Sequence, residues 1–452
     1  MRIALSTLLL LVTVSLFGQN LTAPVLSGSW QSTYHNPAMV HFLPTRVTVG
    51  LPGIAHDLRL QNVNYSDIFE RDGTTNVFNL AAWAAGVEDR NAIQDAYSIE
   101  TIGGAIRGDR FSYHLYHRLR VRGDADYPRS LVNVIALGNA AFIGQTVDIA
   151  PRGGIMSYHE LAAGVGYAVN ERVAVSGRVK YLSGVSGIEA AEGGSLRLTT
   201  ETENYTLTLD KDLTVNSVGA FDFRSLDDFD LPYSPGRLRA GDLFTGNSGV
   251  AVDLGVAVNL DRLRLNASVT DLGASINWKK DITTLRFDGA STFSGLDVLE
   301  DLLRDSLSLD RAVDSLVVSL EPTRGSDNYR SQIAASVFLG AEYDVTDRLT
   351  AGALLTLEDR LGELVPALAL VGRYAVTDWL KVGLNLNHRA GIRTDLGVHL
   401  LAAPGKFQFF AASDKLFSLL TTGSSSAAGI RLGAALTLGD SRSSAAFRPE
   451  YR

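Results

Sequence analysis

The sequence predicts an all-β fold: a transmembrane antiparallel β-barrel of the outer-membrane type, with about 14 to 16 strands and with short helices in a plug and in extracellular loops. Two observations lead to this prediction. After residue 17, no apolar run reaches the length of about 18 residues that a transmembrane helix needs. Many segments of about 10 residues instead alternate between apolar and polar positions, as tilted membrane strands do.

The alternation assigns each strand residue to an outer or an inner face. The predicted outward residues are apolar and suit lipid; they include Val175, Val256 and Leu384. The predicted inward residues are small or charged; they include Gly164, Gly166, Gly255, Gly383, Glu160, Arg178, Lys180, Asp253 and Lys381. Of these, Glu160, Arg178, Lys180 and Asp253 are expected to line the lumen, where charges need pairing or hydration.

A soluble two-sheet sandwich is the alternative fold, because its strands also alternate between apolar and polar residues. A sandwich with this many strands would need a second core. A single closed barrel accommodates all of them and leaves no strand edge exposed. The barrel is therefore favoured.

The N-terminus predicts export. Arg2 precedes an apolar stretch that extends from Ile3 to Phe17, which is typical of a signal peptide, with an uncleaved anchor as the alternative. We expect a signal peptide at 1–19, an N-terminal periplasmic or plug segment at 20–45, a single barrel domain at 46–440 and a polar tail at 441–452. The sequence contains no cysteine, which excludes disulfides, thiolate metal sites and a lipoprotein anchor.

The connections predict an orientation. Tight turns are expected at 169–172, 259–262, 346–348 and 377–379, and longer polar or glycine-rich stretches at 184–194, 225–249 and 281–330. Outer-membrane barrels have short periplasmic turns and long extracellular loops. Both termini are therefore expected in the periplasm.

Three segments depart from alternation and are predicted to be helical: 79–94, 131–143 and 296–317. In the third, Leu299, Leu302, Leu303 and Leu307 can share one helix face. The helices are expected to cap or plug the extracellular mouth. The alternative is that the third binds a partner or the membrane interface.

No catalytic, cofactor or metal site is predicted, and the protein is not expected to be an enzyme. The sequence lacks Gly-x-Ser-x-Gly and His-Glu-x-x-His motifs, and a strand places His114 and His117 on opposite faces. A net charge of −8 without a basic block argues against nucleic-acid binding. Arg118, Arg120 and Arg122 share one face and are expected to line the lumen or to meet lipopolysaccharide phosphates at the rim.

A family resemblance rests on several stretches taken in order. The first are Asn36-Pro37-Ala38 and 47–50, which resemble the start of outer-membrane barrels related to the long-chain fatty acid transporters and to the gliding-motility and type IX secretion accessory barrels of Bacteroidota. The others are 137–144, Tyr158-His159-Glu160, 177–184, 268–273 and Ile276-Asn277-Trp278, which resemble a Bacteroidota outer-membrane β-barrel family of unknown function that is related to those barrels.

The resemblance implies a location in the cell outer membrane, in contact with lipid and lipopolysaccharide. It also implies a plugged, transporter-like barrel for small hydrophobic molecules, in which Asn36, Pro37 and Ala38 occupy the plug. The alternative is a scaffold or accessory barrel that does not transport and that binds a partner in surface protein secretion or gliding motility. Neither function follows from composition or spacing, and no cofactor is implied.

Overall fold

The computed structural model describes residues 21, 23–61, 63–64, 69–72, 75–203, 205–219, 243–293, 322–389, 392–416 and 426–439. Within these segments the chain is mostly β-strand with a few short helices. None of the described helices is long and apolar enough to cross a bilayer. The predicted signal peptide at 1–19, the helix at 296–317 and the tail at 441–452 lie outside the described residues.

The strands, in chain order, are β1 (Val47–Gln61), β2 (Phe69–Asp72), β3 (Thr75–Phe78), β4 (Arg90–Arg107), β5 (Phe111–Pro128), β6 (Thr146–Asp148), β7 (Arg152–Ala168), β8 (Val173–Ala190), β9 (Ser195–Thr200), β10 (Leu207–Val218), β11 (Ser248–Leu260), β12 (Leu263–Leu272), β13 (Ser275–Trp278), β14 (Ile282–Phe293), β15 (Thr323–Gly325), β16 (Tyr329–Gln332), β17 (Ser336–Asp344), β18 (Leu349–Arg360), β19 (Glu363–Ala375), β20 (Leu380–Arg389), β21 (Ile392–Ala402), β22 (Phe407–Ser413) and β23 (Ala427–Leu438). The α-helices are α1 (Leu80–Gly86) and α2 (Arg129–Leu137), and the 3₁₀ helices are Ala23–Val25, Trp30–Tyr34, Pro37–Phe42 and Asn139–Phe142.

Fourteen strands close into an antiparallel barrel, which confirms the predicted fold class. Around the barrel their order is β1, β4, β5, β7, β8, β11, β12, β17, β18, β19, β20, β21, β22 and β23. The barrel closes where β1 pairs with β23, with Val47 opposite Leu438. At one end, β13 and β16 prolong the pairing of β12 with β17. A closed sheet satisfies its backbone groups internally, as a membrane requires.

The alternation along each strand separates the outer wall from the inner wall. On the outside, Leu384 is 54% exposed and Val175 is 41% exposed. Val256 is half-buried and has the same strand parity as the exposed Leu254. On the inside, Arg178 and Asp253 are buried. The outer wall is therefore an apolar surface that suits lipid.

The four predicted tight connections lie at one end of the barrel, and side-chain oxygens accept backbone hydrogen bonds in several of them. Asn170 Oδ1 accepts hydrogen bonds from the backbone N–H groups of Arg172 and Val173, at 2.9 Å each. Thr346 and Thr377 each accept one from the N–H three residues later, at 3.0 Å. Such short polar side chains favour turns by bonding to nearby backbone. The four predicted turns are confirmed, and we call this end the turn end and the opposite one the loop end.

The loop end carries both of the described α-helices, and one predicted helix is shorter than expected. Asn79 Oδ1 caps α1 by accepting from Ala82 N–H at 2.9 Å, but the helix ends at Gly86. From Arg90 the chain is β4, which pairs with β1 and β5, so cross-strand pairing overrides the helical preference of this alanine-rich stretch. The helical prediction for 131–143 is confirmed as α2 and a 3₁₀ helix, separated by Gly138 at a φ of 74°.

A small folded unit extends from the barrel at the loop end. It consists of β6, β9, β10, β14 and β15, which are hydrogen-bonded in one continuous sheet with the barrel strands. This unit has an apolar cluster of its own, which includes the fully buried Leu207 and Leu285 and, from α2, Val134. Burial of these side chains gives the unit a core separate from the lumen.

We expect an arginine on the outer wall to destabilise the barrel according to its depth. Leu384→Arg, in the middle of β20, should cost about 2 to 4 kcal/mol because a charge enters the hydrocarbon layer. Leu364→Arg, one residue into β19 at the loop end, should cost at most about 1 kcal/mol. Denaturant unfolding in phospholipid vesicles measures both. Equal effects of the two substitutions would contradict the assigned outer wall.

Candidate functional site in the barrel lumen

We call residues 21–44 the plug; its described residues, 21 and 23–44, lie inside the barrel. They contain three short 3₁₀ helices, and polar side chains begin two of them. Ser29 Oγ accepts from Ser32 N–H at 3.2 Å, and Asn36 Oδ1 accepts from Ala38 N–H at 2.9 Å. Trp30 is fully buried. The plug is thus a compact chain of turns that fills space within the sheet.

Asn36, Pro37 and Ala38, the predicted plug motif, are all buried inside the barrel. Besides capping its helix, Asn36 donates through Nδ2 to the backbone carbonyl of Val256 at 3.1 Å and to that of Ala267 at 3.2 Å. One amide therefore both starts the last plug helix and fastens it to β11 and β12. Ala38 lies in an apolar cluster with Met39 and Ala257.

Glycines on the inner wall make room for the plug. A Cβ at Gly255 would lie 2.1 Å from Asn36 Oδ1, and one at Gly50 would lie 2.3 Å from Trp30 Nε1. Other inward glycines serve the barrel itself: a Cβ at Gly164 would lie 2.4 Å from the His114 ring, and one at Gly383 would lie 2.2 Å from the His399 ring. At these two positions cross-strand histidines, and not the plug, fill the space beside the glycine.

The plug is also bound by charged and polar wall residues. Arg178 donates through Nη1 to Thr33 O and through Nη2 to Tyr34 O, at 2.9 Å each. Its Nε donates to Asp253 Oδ2 at 2.8 Å. On the opposite wall, Gln408 accepts from Trp30 N–H at 2.8 Å and donates to Gly28 O at 2.9 Å. Main-chain groups of the plug thus take the place that water would occupy in an open channel.

Arg178 and Asp253 belong to a buried ion network with the other two predicted lumen residues. Lys180 Nζ lies 2.8 Å from Asp253 Oδ1 and 3.8 Å from Glu160 Oε1. Glu160 in turn accepts from Tyr116 Oη at 2.6 Å. The structure therefore brings Glu160, Arg178, Lys180 and Asp253 together. Each charge has an opposite partner, which is the condition for keeping charges away from water.

Three further residues complete the network. Arg118 donates through Nε to Glu160 Oε1 at 2.9 Å. Arg120 bridges Glu160 and Asp271, at 3.1 and 3.0 Å. Asp271 also accepts from Lys180 Nζ at 2.7 Å, and its backbone has a φ of 60°, where an aspartate is uncommon. The ion pairs therefore hold a bend between β12 and β13.

His35 makes a further polar contact between the plug and the wall. Burial, together with the neighbouring guanidinium of Arg431, holds the pKa of His35 well below its usual value. The imidazole is therefore neutral, and its Nε2 can accept a hydrogen bond from Arg431 Nη1 at 2.6 Å. Arg431 also donates to Glu100, so this contact carries a balancing negative charge.

Towards the loop end, beyond the network, the lumen opens into a cavity of about 630 Å³. Asp271 lies at its border, and Met156, Tyr329 and Trp278 belong to its lining. The Tyr329 and Trp278 rings stack with centroids 6.0 Å apart and planes 21° apart. This size, with a lining of mixed apolar and polar groups, is typical of a small-molecule site.

The histidines of β5 form no metal centre in the described part of the chain. His114 is buried against Gly164 on the inner wall, whereas His117 lies beside His159 of β7, with Nε2 3.1 Å from Nδ1. Nowhere among the described residues do three or more histidine, cysteine or acidic side chains gather in a way that could hold a metal ion.

Comparison with protein-family models places residues 37–414 in the Family of unknown function (DUF5723). The chain belongs to this family. A search of curated proteins finds no match to this DUF5723 member.

The DUF5723 chain is similar to several solved barrels. It matches a Pseudomonas aeruginosa FadL homologue at 14% identity over 91% of this chain and 92% of that one, with a TM-score of 0.43. It matches the Ralstonia pickettii toluene transporter TbuX at 11% identity over 93% and 97%, with a TM-score of 0.40. The Pseudomonas putida toluene transporter TodX matches at 10% identity over 93% and 96%, with a TM-score of 0.42.

Some site residues of this DUF5723 barrel were singled out from the sequence, and others were not. Arg118 and Arg120 were expected at the lumen or the rim, and both lie in the lumen network. Asp271, Trp278 and Tyr329 had no signal of their own, although the first two occur in stretches that carried the family resemblance. The departure from alternation at Asp271 and Gly273 was the available sign that the strand bends there.

Proposed function

We propose that the protein is a transporter of the cell outer membrane that admits small hydrophobic molecules, and that it is not an enzyme. Its apolar outer wall would face lipid and, at the loop end, lipopolysaccharide. The turn end and the plug would face the periplasm. The plug prevents an open aqueous channel, so passage would require the plug or the wall to move.

The loop-end cavity is the observation that supports this proposal. It lies inside the barrel, and the ion network separates it from the plug below. Ile155, Met156 and Ile333 supply apolar lining. A small ligand that enters the cavity moves its apolar surface out of water, which is favourable by about 25 cal/mol per Å² of surface buried. The cavity is thus placed where a molecule entering from the loop end would first be held.

Uptake of a neutral apolar dye by intact cells tests the proposal. Cells that carry the protein in their outer membrane should take up 1-N-phenylnaphthylamine several-fold faster than cells that lack it, as measured by fluorescence. Ala334→Trp, which fills the cavity from its lining, should remove the increase. Leu364→Trp, on the outer wall, should not. Equal uptake with and without the protein would contradict transport.

A second candidate function rests on the folded unit at the loop end. This unit has its own apolar core, and beside it the end of α2 presents Leu137, 56% exposed, and the end of the next 3₁₀ helix presents Ile143, 40% exposed. Such a unit could bind a protein partner, as expected of a scaffold or accessory barrel for surface protein secretion or gliding motility in Bacteroidota. A stoichiometric protein that copurifies in gentle detergent, and that is lost on Leu137→Ser, would favour this function over transport.

A further inference from the structure

Glu189 lies in the loop-end cavity without a cationic partner. It is half-buried at the end of β8 and lines the cavity. One carboxylate oxygen accepts from Ser331 Oγ–H, and Ser331 Oγ accepts from Trp278 Nε1–H at 2.8 Å. Among the described residues, no lysine or arginine nitrogen lies within 4 Å of this carboxylate.

Other carboxylates in the lumen do have a cationic partner. Glu160 lies 2.8 Å from Arg118, Glu342 lies 2.9 Å from Arg264, and Glu358 lies 2.8 Å from Arg389. The barrel thus neutralises these inward charges with its own side chains. Glu189 has only a hydroxyl donor, so its negative charge remains available to whatever occupies the cavity.

The surroundings of Glu189 suit an organic cation. Tyr329, half-buried and stacked on Trp278, provides an aromatic surface in the same cavity, and Ile155 and Ile188 provide apolar lining. An ammonium group is attracted to aromatic faces as well as to carboxylates. Two lining carboxylates, Asp124 and Asp271, are already paired with cations. Among the described lining residues outside such ion pairs, Glu189, Glu192 and Asp359 outnumber Arg330, so the local charge is negative.

We infer that the cavity selects hydrophobic amines in their ammonium form, with Glu189 as the counter-ion and Tyr329 as the aromatic contact. This inference rests on the proposed function, because it specifies the charge of the cargo. The apolar body of the ligand lies along the isoleucines while its ammonium group meets the carboxylate. A fatty carboxylate of the same size is repelled by the same charge.

Three ligands of one shape test the inference: 4-phenylbutylamine, 4-phenylbutanol and 4-phenylbutyrate. Calorimetric titration into the full chain in nanodiscs, with empty nanodiscs subtracted, measures each affinity. The amine should bind roughly tenfold more tightly than the alcohol, which corresponds to about 1.4 kcal/mol, and the carboxylate should bind least. Glu189→Gln keeps the hydrogen bond from Ser331 and should bring the amine to the affinity of the alcohol.

Glu192→Gln is the matched control, because Glu192 also lines the cavity but is exposed, and it should keep most of the preference. Tyr329→Leu should weaken amine binding more than alcohol binding. If the alcohol binds and the amine is not preferred, the inference is wrong and the proposed function stands. If none of the three binds and dye uptake is also absent, both are wrong.

Discussion

Glu160→Ala is expected to lower the free energy of unfolding by about 3 to 5 kcal/mol. Glu160 is fully buried and accepts hydrogen bonds from Tyr116, Arg118 and Arg120. Its removal leaves four cationic and two anionic side chains in the network and takes from Arg118 its carboxylate partner. An uncompensated buried charge is costly because it has lost water without gaining a partner. Denaturant unfolding in vesicles measures the change.

A second substitution separates the charge effect from the loss of packing. Glu160→Ala combined with Arg118→Met removes one charge of each sign, so it should be less destabilising than Glu160→Ala alone. Glu363→Ala, at the exposed start of β19, should change stability by no more than about 0.5 kcal/mol. A double variant that unfolds as easily as the single variant would show that packing, and not the unpaired arginine, dominates.

Deletion of residues 21–44 is expected to convert a barrel of very low ion conductance into an open channel. The plug carries Trp30 against Gly50, Asn36 against Gly255 and two carbonyls against Arg178. Removal of these groups leaves a lumen lined by charges and glycines, which water and ions can enter. Single-channel recording in planar bilayers measures the conductance before and after the deletion.

The control for the deletion is Ser27→Ala, which keeps the plug and removes only its hydroxyl contact with Glu342. Its conductance should match that of the unaltered protein. Heat-modifiable mobility in a detergent gel shows whether each variant remains a closed barrel. A large steady conductance of the unaltered protein, or a folded deletion variant that stays closed, would refute the plug.

The barrel was predictable because each spanning strand must place an apolar residue towards lipid at every second position. Residues such as Val175 and Arg178 reveal their faces by parity alone. The extent of the helix after Asn79 was not predictable in the same way. Residues 90–94 have a helical composition, yet all of them pair with β5 and residues 92–94 also pair with β1. Long-range pairing decided the structure there.

The site was predictable only in part, because its geometry depends on contacts between distant parts of the chain. The charged inward residues were visible from alternation. Their partners were not, since Lys180 and Asp271 are 91 residues apart. The plug has no periodicity that could specify its register, and its position depends on hydrogen bonds such as that from Trp30 to Gln408, 378 residues away.

The pairing of β1 with β23 bears on the order of assembly. The groups that hold the plug in place include Gln408 of β22 and Arg431 of β23, which are among the last parts of the wall to be synthesised. Until these strands pair, the plug has hydrogen-bond donors and acceptors without partners in the wall, and both edges of the growing sheet are open. Insertion should therefore be cooperative: a nascent chain that stops before its last hairpin remains a target for proteases instead of forming a smaller pore.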